Sequence, residues 1–132
     1  MTNEESNEKI KRINYFQEII KNFNDERDWS TPSSIKDLLL NMNEEIGEFW
    51  NIIKWVDVEK QLELIKENHD EVENFIGDML YLILKVSYLC EVDSDKSISD
   101  VVAEYKKRFP KELTKGNHAN KLAGGIDLKG SQ

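Results

Sequence analysis

Residues 75–90 read FIGDMLYLILKVSYLC. From Ile76 to Cys90 the apolar side chains run almost all the way round a helix of 3.6 residues per turn, so the stretch is expected to be a central, most buried helix. Asp78 breaks the pattern. On the helical wheel it is flanked by Phe75, Leu82 and Leu89, and its mid-helix position excludes a capping role. A buried aspartate there needs a basic partner or a metal ion. Lys85, one to two turns on along the same side, is the local basic candidate. Cys90, unpaired at the end of the run, reads as a buried free thiol.

Outward from this helix, apolar residues recur at three-and-four spacing, with two prolines and little β-branched alternation. Ile10, Ile13, Phe16, Ile20 and Phe23 form one helical stripe. NDERDWSTPSS (24–34) interrupts it, with Thr31 as N-cap and Pro32 at the first helical position of the next helix. That helix extends to about Trp55, with Ile35, Leu38, Leu39, Met42, Ile46, Phe49 and Ile53 inward. A further stretch covers 59–92 with a bend at Asn68–His69, and a last helix, 96–109, capped by Ser94, stops at Pro110. The division is therefore 1–9, a flexible N-terminus; 10–112, a helical domain; and 113–132, a polar, Gly-rich tail that is flexible unless a ligand or neighbouring subunit orders it. The fold class is all-α, a four-to-five-helix bundle completed by oligomerisation.

The chain has 132 residues and a net charge of −8. That charge argues against duplex nucleic acid as a partner, because phosphate backbones are held by basic surfaces. A small phosphorylated ligand remains compatible when a divalent cation sits between it and the acids. No run approaches the roughly 20 apolar residues of a membrane span. The polar, acidic MTNEESNEK is unlike a targeting sequence, so a cytoplasmic protein is expected.

Residues 43–50, NEEIGEFW, hold the other acids of interest. With Glu45 at the origin of the wheel, Leu38 and Phe49 fall within roughly 20–40° of it, Glu48 lies one turn along its outer edge and Glu44 faces away. Two carboxylates at i and i+3 project from one side and can share a hard cation such as Mg²⁺. Antiparallel packing of this helix on the central one brings Glu45, Glu48 and Asp78 together.

The order ERDW (26–29), TP (31–32), EEIGE (44–48), KW (54–55), GDMLYL (77–82) and RFP (108–110) resembles the MazG-like, all-α nucleoside triphosphate pyrophosphohydrolases, with the dCTP pyrophosphatase branch most similar. The resemblance covers about residues 10–121. It implies a helical homodimer or homotetramer and Mg²⁺-dependent hydrolysis of (d)NTP to (d)NMP and pyrophosphate, with Mn²⁺ as a substitute. The family site is E-x-x-E on one helix and E-x-x-D on the next; Glu45, Glu48 and Asp78 match three of these positions, and Glu45 and Glu48 are then the catalytic candidates. The fourth is Phe75, so Asn74 through its carbonyl, or Glu71 toward a second ion, are the substitutes on that side. Trp29 and Trp55 match family tryptophans near the base pocket. Lys115, His118 and Lys121 lie in a tail resembling the phosphate-contacting loop. Val101 and Tyr105 stand where dCTP-pyrophosphatase-like members have Lys and Asn, and only Ser30 and Thr31 separate Trp29 from Pro32, so the family histidine is missing.

Two other readings accompany the hydrolase. A catalytically impaired relative would bind a nucleotide or protein without efficient turnover, as Phe75, Val101 and Tyr105 suggest. A purely structural bundle would need Lys85 to pair with Asp78.

Overall fold

The computed structural model describes residues 12–129, so Ile10 and the expected flexible segment 1–9 lie outside the described residues. The regular secondary structure of the described residues is all helical, with no strand among them. They fall into two compact units divided between Ser94 and Asp95.

In the first unit α1 spans Ile13–Asp25, α2 Ile35–Ile53, α3 Val58–Glu67 and α4 His69–Leu89. The boundaries follow local chemistry. At the end of α1, Asp28 adopts a left-handed φ of 55° and the Trp29 N–H turns back to the Asn24 carbonyl at 2.9 Å. Pro32 begins a single 3₁₀ turn, Pro32–Ser34, that runs into α2; the Thr31 side chain makes no capping bond, and its carbonyl instead accepts from Ser34. Asp57 caps α3 by accepting the Lys60 N–H at 2.8 Å. The bend expected near Asn68 is a full break: Asn68 leaves helical geometry (φ −111°, ψ 36°) and donates its side-chain amide to the Leu64 carbonyl.

Helix α4 lies between α1 and α2, and α3 packs chiefly on α2. Phe75 meets Phe49 of α2 with ring centroids 5.0 Å apart, while Tyr81 and Tyr88 hydrogen-bond to Asn24 and Ser30 at the end of α1. Met42, Leu82 and Leu84 form the buried apolar core.

The expectation that α4 is buried all round needs correction. Its back, bearing Ile76, Leu80 and Ile83, is 51%, 55% and 47% exposed. These residues lie roughly 140–200° round the wheel from Asp78, turned away from α2. Asp78 itself is half-buried and Cys90 is exposed. On α2, Leu39 and Ile46, both expected inward, are exposed as well, and α1 leaves Ile13, Phe16 and Phe23 partly open. Between α1 and α4 this surface forms an apolar groove of about 330 Å³, lined by Ile13, Phe16, Ile20, Gly77, Leu80, Tyr81 and Leu84. No helix is long and apolar enough to cross a membrane among the described residues.

Helix α5, Ser94–Arg108, has Ser94 as its first residue; the Ser94 hydroxyl donates to Gln17 Oε1 and its backbone N–H donates to Asn14 Oδ1. The second unit continues with the short α6, Lys111–Thr114, and a 3₁₀ turn, Lys121–Ala123. Arg108 grips Asp127 through two nitrogens at 3.1 and 2.8 Å, and the Leu128 N–H donates to the Arg108 carbonyl at 2.9 Å. The guanidinium, followed by the Lys129 N–H, holds the Asp127 carboxyl down at about 2. At Gly125 a Cβ would come within 2.3 Å of the His118 carbonyl oxygen, so the fold-back closes only around glycine.

Candidate metal centre

The packing of α2 on α4 sets Glu45, Glu48, Phe49 and Ile52 against Glu71, Asn74 and Phe75 around a cavity of about 20 Å³. That is enough for a single water or ion. Asn74, one turn before Asp78 on α4, donates its side-chain amide to Asp78 Oδ2 at 2.9 Å, leaving its own Oδ1 as the remaining acceptor. Glu45 is half-buried and Glu48 exposed, matching their wheel positions at the core boundary and beyond it.

The electrostatics bind the group together. The Glu45 carboxyl is raised above its ordinary value, first by burial and then by the neighbouring charges of Glu48, Asp78 and Glu44. Among the described residues no Lys, Arg or His lies within 4.0 Å of Glu45, Glu48, Glu71 or Asp78. Lys85 makes no ion pair with Asp78, which removes the partner that the structural-bundle reading requires. A carboxyl raised by burial and by neighbouring carboxylates, with no basic neighbour, belongs to a donor set suited to a hard cation.

Their oxygens stand apart. Among the described residues, the trio whose ligand atoms all lie within 4.8 Å of one another is His69, Asp70 and Glu73, exposed at the start of α4. His69 Nδ1 is 4.0 Å from a Glu73 carboxylate oxygen. This exposed trio could also hold a divalent cation. Glu45, Glu48 and Glu71 line the α2–α4 cavity, while Asp78 does not line it and is tied to it through Asn74.

Phe75, at the position expected to supply a fourth acid, packs against Phe49 and walls the cavity instead. Glu71, placed a turn too far by the sequence spacing, lines the same cavity as Glu45 and Glu48.

Trp29 and Trp55 occupy special backbone. Trp29 follows the left-handed Asp28, and its ring meets Phe23 edge-on at 6.1 Å. Its turn is pinned to α4. Asn24, fully buried, accepts from Tyr81 Oη at 3.0 Å, and Ser30 shares a hydrogen bond of 2.9 Å with Tyr88 Oη and also donates to Asp25. Trp55 follows the end of α2 with a left-handed φ of 66° and is 88% exposed. Trp50, absent from the sequence reading, stands edge-on to it at 5.7 Å, with the Lys54 ammonium 5.1 Å from its ring. The missed tyrosines had a usable signature: Tyr81 and Tyr88 are seven residues apart, two turns along one face. Lys115, His118 and Lys121 belong to the second unit, where His118 Nδ1 accepts the Asn120 N–H at 3.2 Å.

No protein-family model matches the chain, and no curated protein matches it by sequence. Among solved structures it is similar to a pyrophosphatase from Archaeoglobus fulgidus DSM 4304, with a TM-score of 0.64 and 23% identity over 78% of this chain and 100% of that one. The fold implied by the motifs, all-α and MazG-like, is thus the fold found.

Proposed function

We propose that the protein hydrolyses (deoxy)nucleoside triphosphates to monophosphate and pyrophosphate with Mg²⁺, or Mn²⁺ in its place, as a cytoplasmic enzyme of the nucleotide pool. The observation that carries this reading is the α2–α4 acid group, mutually repelling and without a basic partner. Its structural neighbour is described as a pyrophosphatase. The motif set leans toward the dCTP pyrophosphatase branch.

Glu45, Glu48 and Asp78 would hold the metal, with Asn74 Oδ1 or Glu71 completing the set. Bound there, the ion supplies charge neutralisation for the triphosphate and polarises its phosphoryl oxygens. Glu45 or Glu48 takes a proton from the attacking water as its oxygen bonds to phosphorus, and the α–β anhydride bond breaks with pyrophosphate leaving. Trp29 and Trp55 would face the base, whose stacking on an indole favours a planar ring. Lys115 and Lys121 would meet the phosphates. A second copy covering the back of α4 and the α1–α4 groove would complete a homodimer or, with a further face, a homotetramer, since a helix layer this open lacks the second layer a domain normally has.

Phe75 favours one alternative, a relative that binds nucleotide with impaired turnover. Pyrophosphate release from a panel of dNTPs and NTPs, with Mg²⁺ and with EDTA, separates them. Release that requires metal and disappears in Glu48→Gln establishes the hydrolase. No release from a folded, nucleotide-binding sample would establish the alternative.

A further inference from the structure

We propose that Lys85 is a phosphate anchor: its ammonium pairs with a phosphoryl oxygen of the ligand whose metal-bound end lies at Glu45, Glu48 and Asp78. The inference rests on the reading of that acid group as the site of a metal-bound phosphate ester.

Lys85 is the most buried charged residue described, with 7% exposure. Seven residues separate it from Asp78, so it lies about 20° from Asp78 on the wheel and about 10 Å further along α4. Helical side chains lean toward the N-terminus. That lean points from Lys85 over Leu82 toward Asp78, so a ligand held at the acid group and extending along α4 would meet this amine. Glu71 and Asn74 bound the acid group on its N-terminal flank.

Two further observations separate this lysine from an ordinary one. The chain has 26 acids to 18 basic residues, yet no carboxylate lies within 4.0 Å of Lys85 among the described residues. No buried side-chain nitrogen or oxygen lacks a hydrogen-bond partner, and no bond is formed by Lys85, so its Nζ must reach solvent while its stem is covered. The stem is thus covered, while the amine is unpaired and open at its tip. Burial accordingly pulls its pKa down. A cation held this way is a standing cost that an incoming anion removes. A triphosphate gripped by a metal ion at one end and a lysine at the other is how phosphoryl-transfer sites divide the charge. Lysine, a compact point charge, suits a single phosphoryl oxygen.

The test uses calorimetry with inorganic triphosphate and Mg²⁺ as the probe, beside thermal unfolding, on wild type, Lys85→Met and Lys85→Arg. Lys85→Met should bind triphosphate at least tenfold more weakly while its Tm stays level or rises, because a buried unpaired charge has been removed. Its affinity for Mn²⁺ alone should stay within twofold of wild type. Lys85→Arg should recover part of the triphosphate affinity. Unchanged triphosphate binding in Lys85→Met overturns the anchor, as does a lowered Tm with Mn²⁺ and triphosphate affinity lost in equal measure. A wild type that binds no triphosphate overturns it too. Triphosphate binding that depends on Lys85, in a protein that releases no pyrophosphate from any nucleotide, keeps the anchor and rejects the hydrolase. Release with a KM untouched by Lys85→Met does the reverse.

Discussion

Replacing Trp55 with glycine should leave the fold as stable as before, although tryptophan is the largest side chain in the protein. The backbone there is left-handed at φ 66°, a conformation that holds any residue with a Cβ about 1–2 kcal/mol above glycine. Against that relief stand three losses. The indole is 88% exposed, and the covered remainder of a ring that can bury about 150–250 Å² is worth about 0.6 kcal/mol at about 25 cal/mol per Å². Its edge-on contact with Trp50 adds about 0.5–1.5 kcal/mol, and the extra chain freedom of glycine takes about 0.5–1 kcal/mol. The terms nearly cancel, so urea unfolding of Trp55→Gly should fall within about 1 kcal/mol of wild type, where truncating a packed tryptophan loses about 3–5 kcal/mol. Nucleotide affinity, followed by calorimetry on the same samples, should drop. A loss of stability above about 3 kcal/mol would refute the account of Trp55 as strained and solvent-facing.

The same structure fixes the sign of four other perturbations. Asp78→Asn should lose Mn²⁺ binding by more than tenfold at unchanged helicity; calorimetry beside circular dichroism checks both, and full affinity would rule out Asp78 as a ligand. Tyr81→Phe leaves the buried Asn24 side-chain Oδ1 without its Tyr81 donor and should lower unfolding stability by about 1–3 kcal/mol. Asp127 is held below its ordinary value of 3.8, down to about 2, so the bond to Arg108 stabilises the fold-back above pH 3.8 and fades as the pH falls toward 2. Exchange of the Leu128 and Lys129 amides should speed up across that window in wild type and show no such transition in Asp127→Asn. Leu80→Glu, on the exposed back of α4, should lower the molar mass seen by light scattering to that of one chain, and an unaltered mass would place the subunit contact elsewhere.

What the sequence disclosed was whatever periodicity encodes. The wheel placed Glu45 at the core boundary, Glu48 beyond it and Glu44 on the surface, and it put Asp78 on the face that meets α2. Helix ends were legible where one residue decides them, as at Pro32 and Pro110. Periodicity reports how apolar a face is and says nothing of what covers it, so Ile76 and Leu80 read as core although this chain leaves them open. Cys90 misled for the same reason. Spacing along one helix could not show that Glu71 leans into the cavity of Glu45 and Glu48, because that depends on the approach of α2. The fold-back at Asp127 had no apolar signal at all: it is built from one ion pair, a few amides and a glycine whose necessity appears only in three dimensions. Phe75 was recognised as a departure, but that it packs on Phe49 needed the partner helix.

Helix α4 carries on a single rod the acid group in front, the two tyrosine posts that pin the Trp29 turn at its side, and the uncovered apolar strip behind. A rod transmits translation. Any substitution behind it that seats the helix differently, by a fraction of an ångström along its axis, displaces Asp78 and Tyr81 together, although it touches neither. If a second copy seats on that strip as proposed, assembly and the proposed metal site share one mechanical degree of freedom. Variants with tighter or looser association would then inherit a changed metal affinity without any change among the carboxylates.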